Sequence, residues 1–536
     1  MNFKPTERLP IAIWVAATFA VIAFWIFVAR DVDRQIIRDT LLLGLGSSIV
    51  ALLLAGWLAT AIYQPGWLGR GTLTLTICGA VVPLIWYVSG WDAAFGKLGW
   101  IAAGSTNAVS LFVPRWFAAI WIHATSLGPL LALLLVVQLG FNRRIYEEQG
   151  LIDASRWTVF WSITLPRVWP TIVVAMMWGI ISVSREIAVT DIYQIGTIAE
   201  QIYLGYSLGQ MDQMLAIWPE GATVLCIPLY GVILLWLAAS AVLVVRGLRR
   251  TEWSGEPIGR SDQIASNRFW KLVSSLAVCV LMFGMPLGNL LVRAGLRVES
   301  IGGRPTRIWS FAGFTESFSR FWTESISELQ WSSAIACGAA CLLLVIGLVG
   351  VWGAFRSRLI RVCFFGSVII TMTLPGPLIG FTLISGWEML DFGWAHRLGD
   401  RTIFLPIVAT TVFCWPLAGL SLWFLVATVP KDILQAASTQ GASSWTQYWS
   451  IVVSSKRNSL IGLWLLFFAI TFGELSAQQM VVPPGIDTVP RQLLGWLHSG
   501  VDEMAAAASL SIAGLVGLIS TIAALLMTWP GRQSSK

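Results

Sequence analysis

The stretch EEQGLIDASRWTVFWSITLP, Glu147 to Pro166, returns 288 residues later as QAASTQGASSWTQYWSIVVS, Gln435 to Ser454. Aligned without a gap, the copies agree at seven of twenty positions: Ala154/Ala442, Ser155/Ser443, Trp157/Trp445, Thr158/Thr446, Trp161/Trp449, Ser162/Ser450 and Ile163/Ile451. At roughly 6% chance identity per position, ordinary composition yields about one match. The chain therefore carries an internal duplication, and its period sets the frame for the rest of the sequence.

Composition fixes the surroundings. The 536 residues are 56% hydrophobic and 12% charged, where soluble domains run at about 25% charged. Roughly twenty consecutive apolar residues cross a bilayer. Segments 9–29, 40–63 and 505–529 each supply that length without a charge. The pattern is that of an all-α polytopic membrane protein. Seven cysteines all fall in apolar runs, with no C-x-x-C pair, so they read as small core hydrophobes rather than zinc ligands or a disulfide framework. The net charge of +7 fits basic loops near lipid headgroups better than a nucleic-acid surface.

Charge-free runs predict twelve spans, near 9–29, 40–63, 72–91, 116–140, 168–187, 221–245, 272–292, 331–354, 362–386, 402–428, 458–475 and 505–529. The first follows Lys4 and Arg8 and runs into Arg30 and Asp31 with no cleavage-site pattern, so it reads as a retained span. With the N-terminus cytoplasmic, the inside segments hold 21 of the 35 Lys and Arg residues but only 8 of the 28 acidic ones. The basic excess follows the positive-inside rule. Both termini are then expected inside, and the chain in the inner (plasma) membrane. The polar stretch 251–270 reads as a cytoplasmic linker between halves 1–250 and 271–536, each of six spans. The loop copies, 147–166 and 435–454, fall between the fourth and fifth span of each half. Both halves share one orientation, which makes a parallel repeat with its axis along the membrane normal.

On a helix, Trp157, Phe160 and Trp161 share one face, and Trp445, Tyr448 and Trp449 repeat the offsets. Such a stripe either lies in the headgroup layer or under its own helices, or anchors the loop in a partner's groove. Preserved register across the duplication favours the partner.

The loops resemble the EAA motif of type I ABC importer permeases: E-A-A, three residues, G, nine residues, I-x-L-P. In the first copy Glu147, Ile163, Leu165 and Pro166 fit, while Glu148, Gln149 and Asp153 replace Ala, Ala and Gly. In the second Ala436, Ala437, Gly441 and Ile451 fit, while Gln435, Val453 and Ser454 replace Glu, Leu and Pro. The resemblance implies a coupling helix that docks on a cytoplasmic ATPase. It assigns that role to Glu147, Asp153, Ala154, Ser155, Trp157, Trp161 and Pro166 in one loop. In the other it assigns it to Gln435, Ala436, Ala437, Gly441, Ala442, Ser443, Trp445 and Trp449. It also implies two ATPase copies, a solute-binding protein outside, and a tight turn at Asp153 and Gly441, where φ > 0 is favoured. The chain has no G-x-x-x-x-G-K-[ST] stretch. ATP and magnesium are therefore expected on the partner, and no cofactor or catalytic residue in this chain.

Glu186 lies 39 residues after Glu147, and Glu474 lies 39 after Gln435. Each ends a short charge-free run at the expected outer face, so the two glutamates are candidates for the substrate pathway, with Arg185 a local partner for Glu186. Further on, TIAEQIY (197–203) resembles TVPRQLL (488–494) at an offset of 291. The stretch VTDIYQIGTIAEQIY looks like permeases of the ferric-iron group, which implies ferric iron as substrate, with thiamine, phosphonate and polyamine permeases as near relatives. Hard oxygen ligands suit Fe(III). An ion-driven secondary transporter and a polytopic membrane enzyme are the rival classes. His123, His396 and His498 are too scattered for a metal cluster. Pro129, Pro416, Pro375 and Pro377 mark kinks or broken helices in their spans.

Overall fold

The computed structural model describes residues 31–64, 66–96, 99–101, 114–141, 155–208, 268–301, 304–390 and 392–528. The expected spans 9–29 and 221–245, the linker up to residue 267, and Glu147, Asp153 and Ala154 lie outside the described residues.

Apolar runs in lipid have no water to bond, so their backbones must satisfy themselves as helices. The first half shows α1 (Asp31–Ile62), α2 (Trp67–Val81), α3 (Leu84–Phe95), α4 (Arg115–Phe141), α5 (Arg156–Val159), α6 (Leu165–Arg185), α7 (Ala188–Tyr193) and α8 (Ile198–Ser207). There follow α9 (Arg268–Cys279), α10 (Met285–Gly295), α11 (Phe311–Glu324), α12 (Ile326–Arg356), α13 (Arg358–Thr373), α14 (Gly376–Glu388) and α15 (Gly393–Arg401). The chain ends in α16 (Phe404–Ala427), α17 (Lys431–Thr439), α18 (Ser444–Thr446), α19 (Arg457–Phe472), α20 (Gln478–Val481), α21 (Val489–Ser499) and α22 (Glu503–Thr528). Among the described residues six helices are long and apolar enough to cross a membrane, and three bent pairs qualify jointly.

Two of those pairs correct the expected spans. Segment 72–91 is not one helix but α2 and α3, bent by 101°, and segment 362–386 is α13 and α14, bent by 109°. The cause is the same in both. Proline clashes with a helical conformation in the residue before it and pushes that residue to extended angles. Val82 has φ −60° and ψ 131° before Pro83, and Leu374 has φ −78° and ψ 127° before Pro375. Pro129 and Pro416, by contrast, sit inside continuous α4 and α16.

Packing recurs with the sequence period. Helices α1, α4 and α6 pack against one another, as do α12, α16 and α19. Ile120 of α4 lies against Gly46 of α1, and Ile407 of α16 lies against Gly338 of α12. Helices α8 and α21, the sites of the TIAEQIY and TVPRQLL stretches, also begin alike. The Ile198 N–H donates to Thr40 Oγ1 at 3.1 Å, and the Val489 N–H donates to Ser332 Oγ at 2.9 Å. The main core cluster mixes the halves, with Leu43, Trp86 and Ala119 beside Phe472, Val489 and Val516.

One element departs from an all-α chain. Strands β1 (Leu296–Ile301) and β2 (Arg304–Trp309) pair antiparallel, Leu296 opposite Trp309. The Gly302-Gly303 dipeptide between them is a hairpin signal in the sequence.

Thr40→Val and Ser332→Ala should each leave a buried N–H without its acceptor. A loss of about 1–3 kcal/mol per site is expected, measured as a lower thermal midpoint in detergent.

Candidate functional site

Two regions hold the residues that the sequence singles out. The first is the repeated loop. In the second copy α17 ends at Thr439, Gly441 turns the chain with φ +79°, and α18 starts after Ser443. A residue with a Cβ is strained at that angle, so the glycine here supplies the turn. Gln435, Ala436 and Ala437 sit on α17, and Gln435 and Ala436 are exposed. The Ser443 hydroxyl accepts the Thr446 N–H at 3.2 Å, and 288 residues earlier the Ser155 hydroxyl accepts the Thr158 N–H at 3.2 Å. This is the serine N-cap, which satisfies a donor the helix start leaves free. Both short helices pass directly into π-helical segments, Phe160–Thr164 and Gln447–Val453.

The aromatic stripes are only partly alike. Trp157, Phe160 and Trp161 are 69%, 42% and 53% exposed and lie against one another with centroids 5.5–5.9 Å apart, Trp157 stacked on Phe160 and Trp161 edge-on to both. In the second copy Trp445 is exposed, but Tyr448 is buried and donates its hydroxyl to Leu348 O at 2.8 Å. Trp449 is half-buried against the second core cluster. The stripe of the second loop thus splits: Tyr448 is an anchor to the chain's own α12, and Trp445 faces outward, edge-on to Trp352. Arg356 Nη1 donates to Ser444 Oγ at 3.1 Å and ties the same loop down. The exits differ too. Pro166 lies near the start of α6, which runs on from the π-helical segment without a break. The second copy bends by 75° at Lys456 instead.

The second region is where the broken spans meet the ends of α6 and α19. The structure brings Arg185, Glu186 and Glu474 together there. Arg185 is 7% exposed. Its Nε donates to Leu374 O at 3.0 Å and its Nη2 to Phe413 O at 2.7 Å, and its guanidinium lies 4.1 Å from the Phe413 ring centre. Leu374 is the residue that Pro375 forces out of α13, so its carbonyl has no helical donor. Arg185 supplies one from the other half. At the equivalent place in α19, 288 residues on, stands Gly473. An added Cβ there would collide with the ring of Pro83, the break point of the first half. Each broken span is therefore seated on the end of the other half's span, once by an arginine and once by a glycine.

The carboxylates are engaged. Glu186 Oε2 accepts from Ser476 Oγ at 2.6 Å, and Ser476 Oγ accepts the Ile187 N–H at 3.3 Å. Glu474 accepts the N–H groups of Ala477 at 2.7 Å and Gln478 at 3.2 Å, which caps the start of α20. Gln478 Nε2 donates to Thr410 Oγ1 at 3.0 Å. Farther along, His498 Nε2 meets Asp191 Oδ2 at 3.1 Å, again across the halves. Among the described residues no group of three or more His, Cys, Asp or Glu is arranged to hold a metal ion. His123 is buried in α4, and His396 is on α15 away from it.

Sequence reasoning missed Pro83, Gly473 and Ser476. Pro83 carries the same signal as Pro375, an X-Pro pair inside an apolar run. Gly473 and Ser476 show nothing until the crossing is built.

No family model matches the chain. It is similar to permease proteins of solute-transport systems. The putrescine transport system permease protein PotI of Escherichia coli K12 is 25% identical over 213 residues, 39% of this chain and 74% of that protein. The putative molybdenum transport system permease protein YvgM of Bacillus subtilis is 27% identical over 208 residues, 35% of this chain and 86% of that protein. The putative 2-aminoethylphosphonate transport system permease protein PhnV of Salmonella choleraesuis is 22% identical over 193 residues, 36% and 72% of the two chains. The relatives are transport subunits rather than enzymes, and the present chain is a multi-span membrane protein similar to them.

Gly473→Ala should lower the thermal midpoint, since overpacking a tight contact costs about 1–3 kcal/mol. Gly495→Ala, at a position with open space around the added methyl, should leave it unchanged or raise it.

Proposed function

We propose that the chain is the transmembrane permease subunit of an ATP-driven ABC importer, with two six-span halves, 1–250 and 271–536, fused as a parallel repeat. One observation carries this reading. A serine-capped helix start with an exposed tryptophan occurs twice, at Ser155–Trp157 and Ser443–Trp445, 288 residues apart. A surface that must meet two copies of one partner needs two copies of one shape. The relatives add support: each aligns over most of its own length to under two-fifths of this chain, the extent expected of one half.

In this reading two ATPase subunits bind the loops on the cytoplasmic side, hold ATP and magnesium, and close on each other. Their movement is passed through Trp157 and Trp445 to α6 and α19, and the halves rock to alternate access. The crossing of Arg185, Glu186, Glu474 and Ser476 is the closed outer gate. It sits at the far ends of the helices that the loops lead into. The bonds of Arg185 and the Glu186–Ser476 bond run between halves, so they part when the halves separate. A solute-binding protein delivers substrate above it.

Two glutamates against one arginine at this gate favour a small cationic solute. Ferric iron has the support of the outer stretch 189–203 alone. A polyamine also has a relative of stated substrate, the putrescine system permease, and stands ahead of iron on that ground.

The test is ATPase activity of the reconstituted complex with its binding protein. Putrescine-loaded binding protein should stimulate hydrolysis, and Fe(III) should not. Trp157→Ala with Trp445→Ala should abolish stimulation while the protein remains folded. Stimulation equal to that of the unaltered complex would remove the docking assignment. Arg185→Met should lower transport and the thermal midpoint together, since it strips two carbonyls of a charged donor, a loss of about 1.5–3 kcal/mol for each such bond. Arg185→Lys should recover only part, because an ammonium cannot reach two carbonyls with a fixed fork.

A further inference from the structure

Beside the second loop an open groove runs between α12 and α19. Leu344, Val453, Arg457, Leu460, Ile461 and Trp464 line a cavity of about 340 Å³. All but one of these side chains are apolar. The exception, Arg457, is the first residue of α19, is exposed, and makes no ion pair among the described residues. Lys456 precedes it at the elbow where Ser444–Val453 bends by 75° onto Arg457–Phe472. Along α12 the groove continues into an exposed apolar face, with Val345 at 59% and Val349 at 50% exposure. Trp464 closes its far side with Nε1 against Cys341 Sγ at 3.4 Å.

These features belong together only in a membrane. The exposed valines mark the side that faces hydrocarbon, and Arg457 with Lys456 marks the level of the headgroups. An arginine with no ion pair among the described residues, at that level and above an apolar slot, matches a molecule with an anionic head and a hydrocarbon tail. A zwitterionic lipid offers a phosphate as well, but its ammonium group meets two adjacent cations.

We propose that this groove binds one anionic phospholipid from the leaflet on the loop side, its phosphate on Arg457 and an acyl chain along Leu344, Leu460, Ile461 and Trp464. The lipid braces the elbow that joins the second loop to α19. The brace belongs to the second half. At the position equivalent to Arg457 the first half has Trp169, and its cation, Arg167, stands two positions earlier, at the place of Ser455. The inference rests on the membrane-spanning fold, not on the substrate or the ATPase.

Native mass spectrometry of the full-length protein, titrated with phosphatidylglycerol or phosphatidylcholine of identical chains, tests it. The unaltered protein should retain one phosphatidylglycerol in preference to phosphatidylcholine. Arg457→Gln should weaken phosphatidylglycerol binding about fivefold, the equivalent of about 1 kcal/mol, and leave phosphatidylcholine unchanged. Arg457→Lys should keep most of the preference, and Ile461→Trp, which fills the slot, should reduce retention of both lipids. Equal retention of the two lipids by the unaltered protein, or undiminished phosphatidylglycerol binding by Arg457→Gln, would overturn the proposal. If Arg457→Gln fails to fold, Ile461→Trp and the lysine variant decide it. An ATPase that substrate does not stimulate would count against the importer reading and leave these lipid counts untouched.

Discussion

The structure depends on what happens to a carbonyl when a helix breaks inside a membrane. Pro375 forces Leu374 out of the helix and frees its carbonyl oxygen, which needs another donor. An unsatisfied polar group in hydrocarbon costs several kcal/mol. Arg185 meets that need from the other half, at 3.0 Å, and with its Nη2 reaches the Phe413 carbonyl in α16. The arginine is itself tolerable there because its charge is spread over two carbonyls, an aromatic face and the neighbouring Glu186. Break, arginine and carboxylate explain one another, and removing any one leaves the others exposed to the same penalty.

The second crossing solves a related problem by shape. Pro83 needs space where it meets the end of α19, and Gly473 provides it by having no side chain. The two halves are thus joined at equivalent places by unlike means. The loops differ in a corresponding way. The first presents three exposed aromatics, while the second commits Tyr448 to its own α12 and leaves Trp445 outward. A duplicated chain keeps the positions at which contacts are needed and lets the chemistry of each contact diverge.

Much of this was legible in the sequence. The helical membrane-spanning character, the repeat, the turn at Gly441 and the shared region of Glu186 and Glu474 follow from periodicity, charge and spacing, which are local properties. The break at Pro375 was signalled by the prolines of its run, whereas the one at Pro83, with the same X-Pro signal, was hidden by hydropathy, which sees an unbroken apolar run. The split of the Trp445, Tyr448 and Trp449 stripe was not legible, because which aromatic finds Leu348 depends on a helix 100 residues away. Gly473 and Ser476 were silent for the same reason: their meaning lies wholly in what the other half places against them. Arg185 was read as a partner for the adjacent Glu186, whereas two of its bonds go to carbonyls 189 and 228 residues distant.

The central claim is that this crossing is the closed outer gate between the halves. The most direct measurement is labelling of Ser476→Cys, in a background without the seven native cysteines, by a membrane-impermeant maleimide applied from outside. The account predicts no labelling of the resting complex and rapid labelling once the ATPase subunits are trapped with ATP. Labelling at rest, or the same rate in both states, would contradict it.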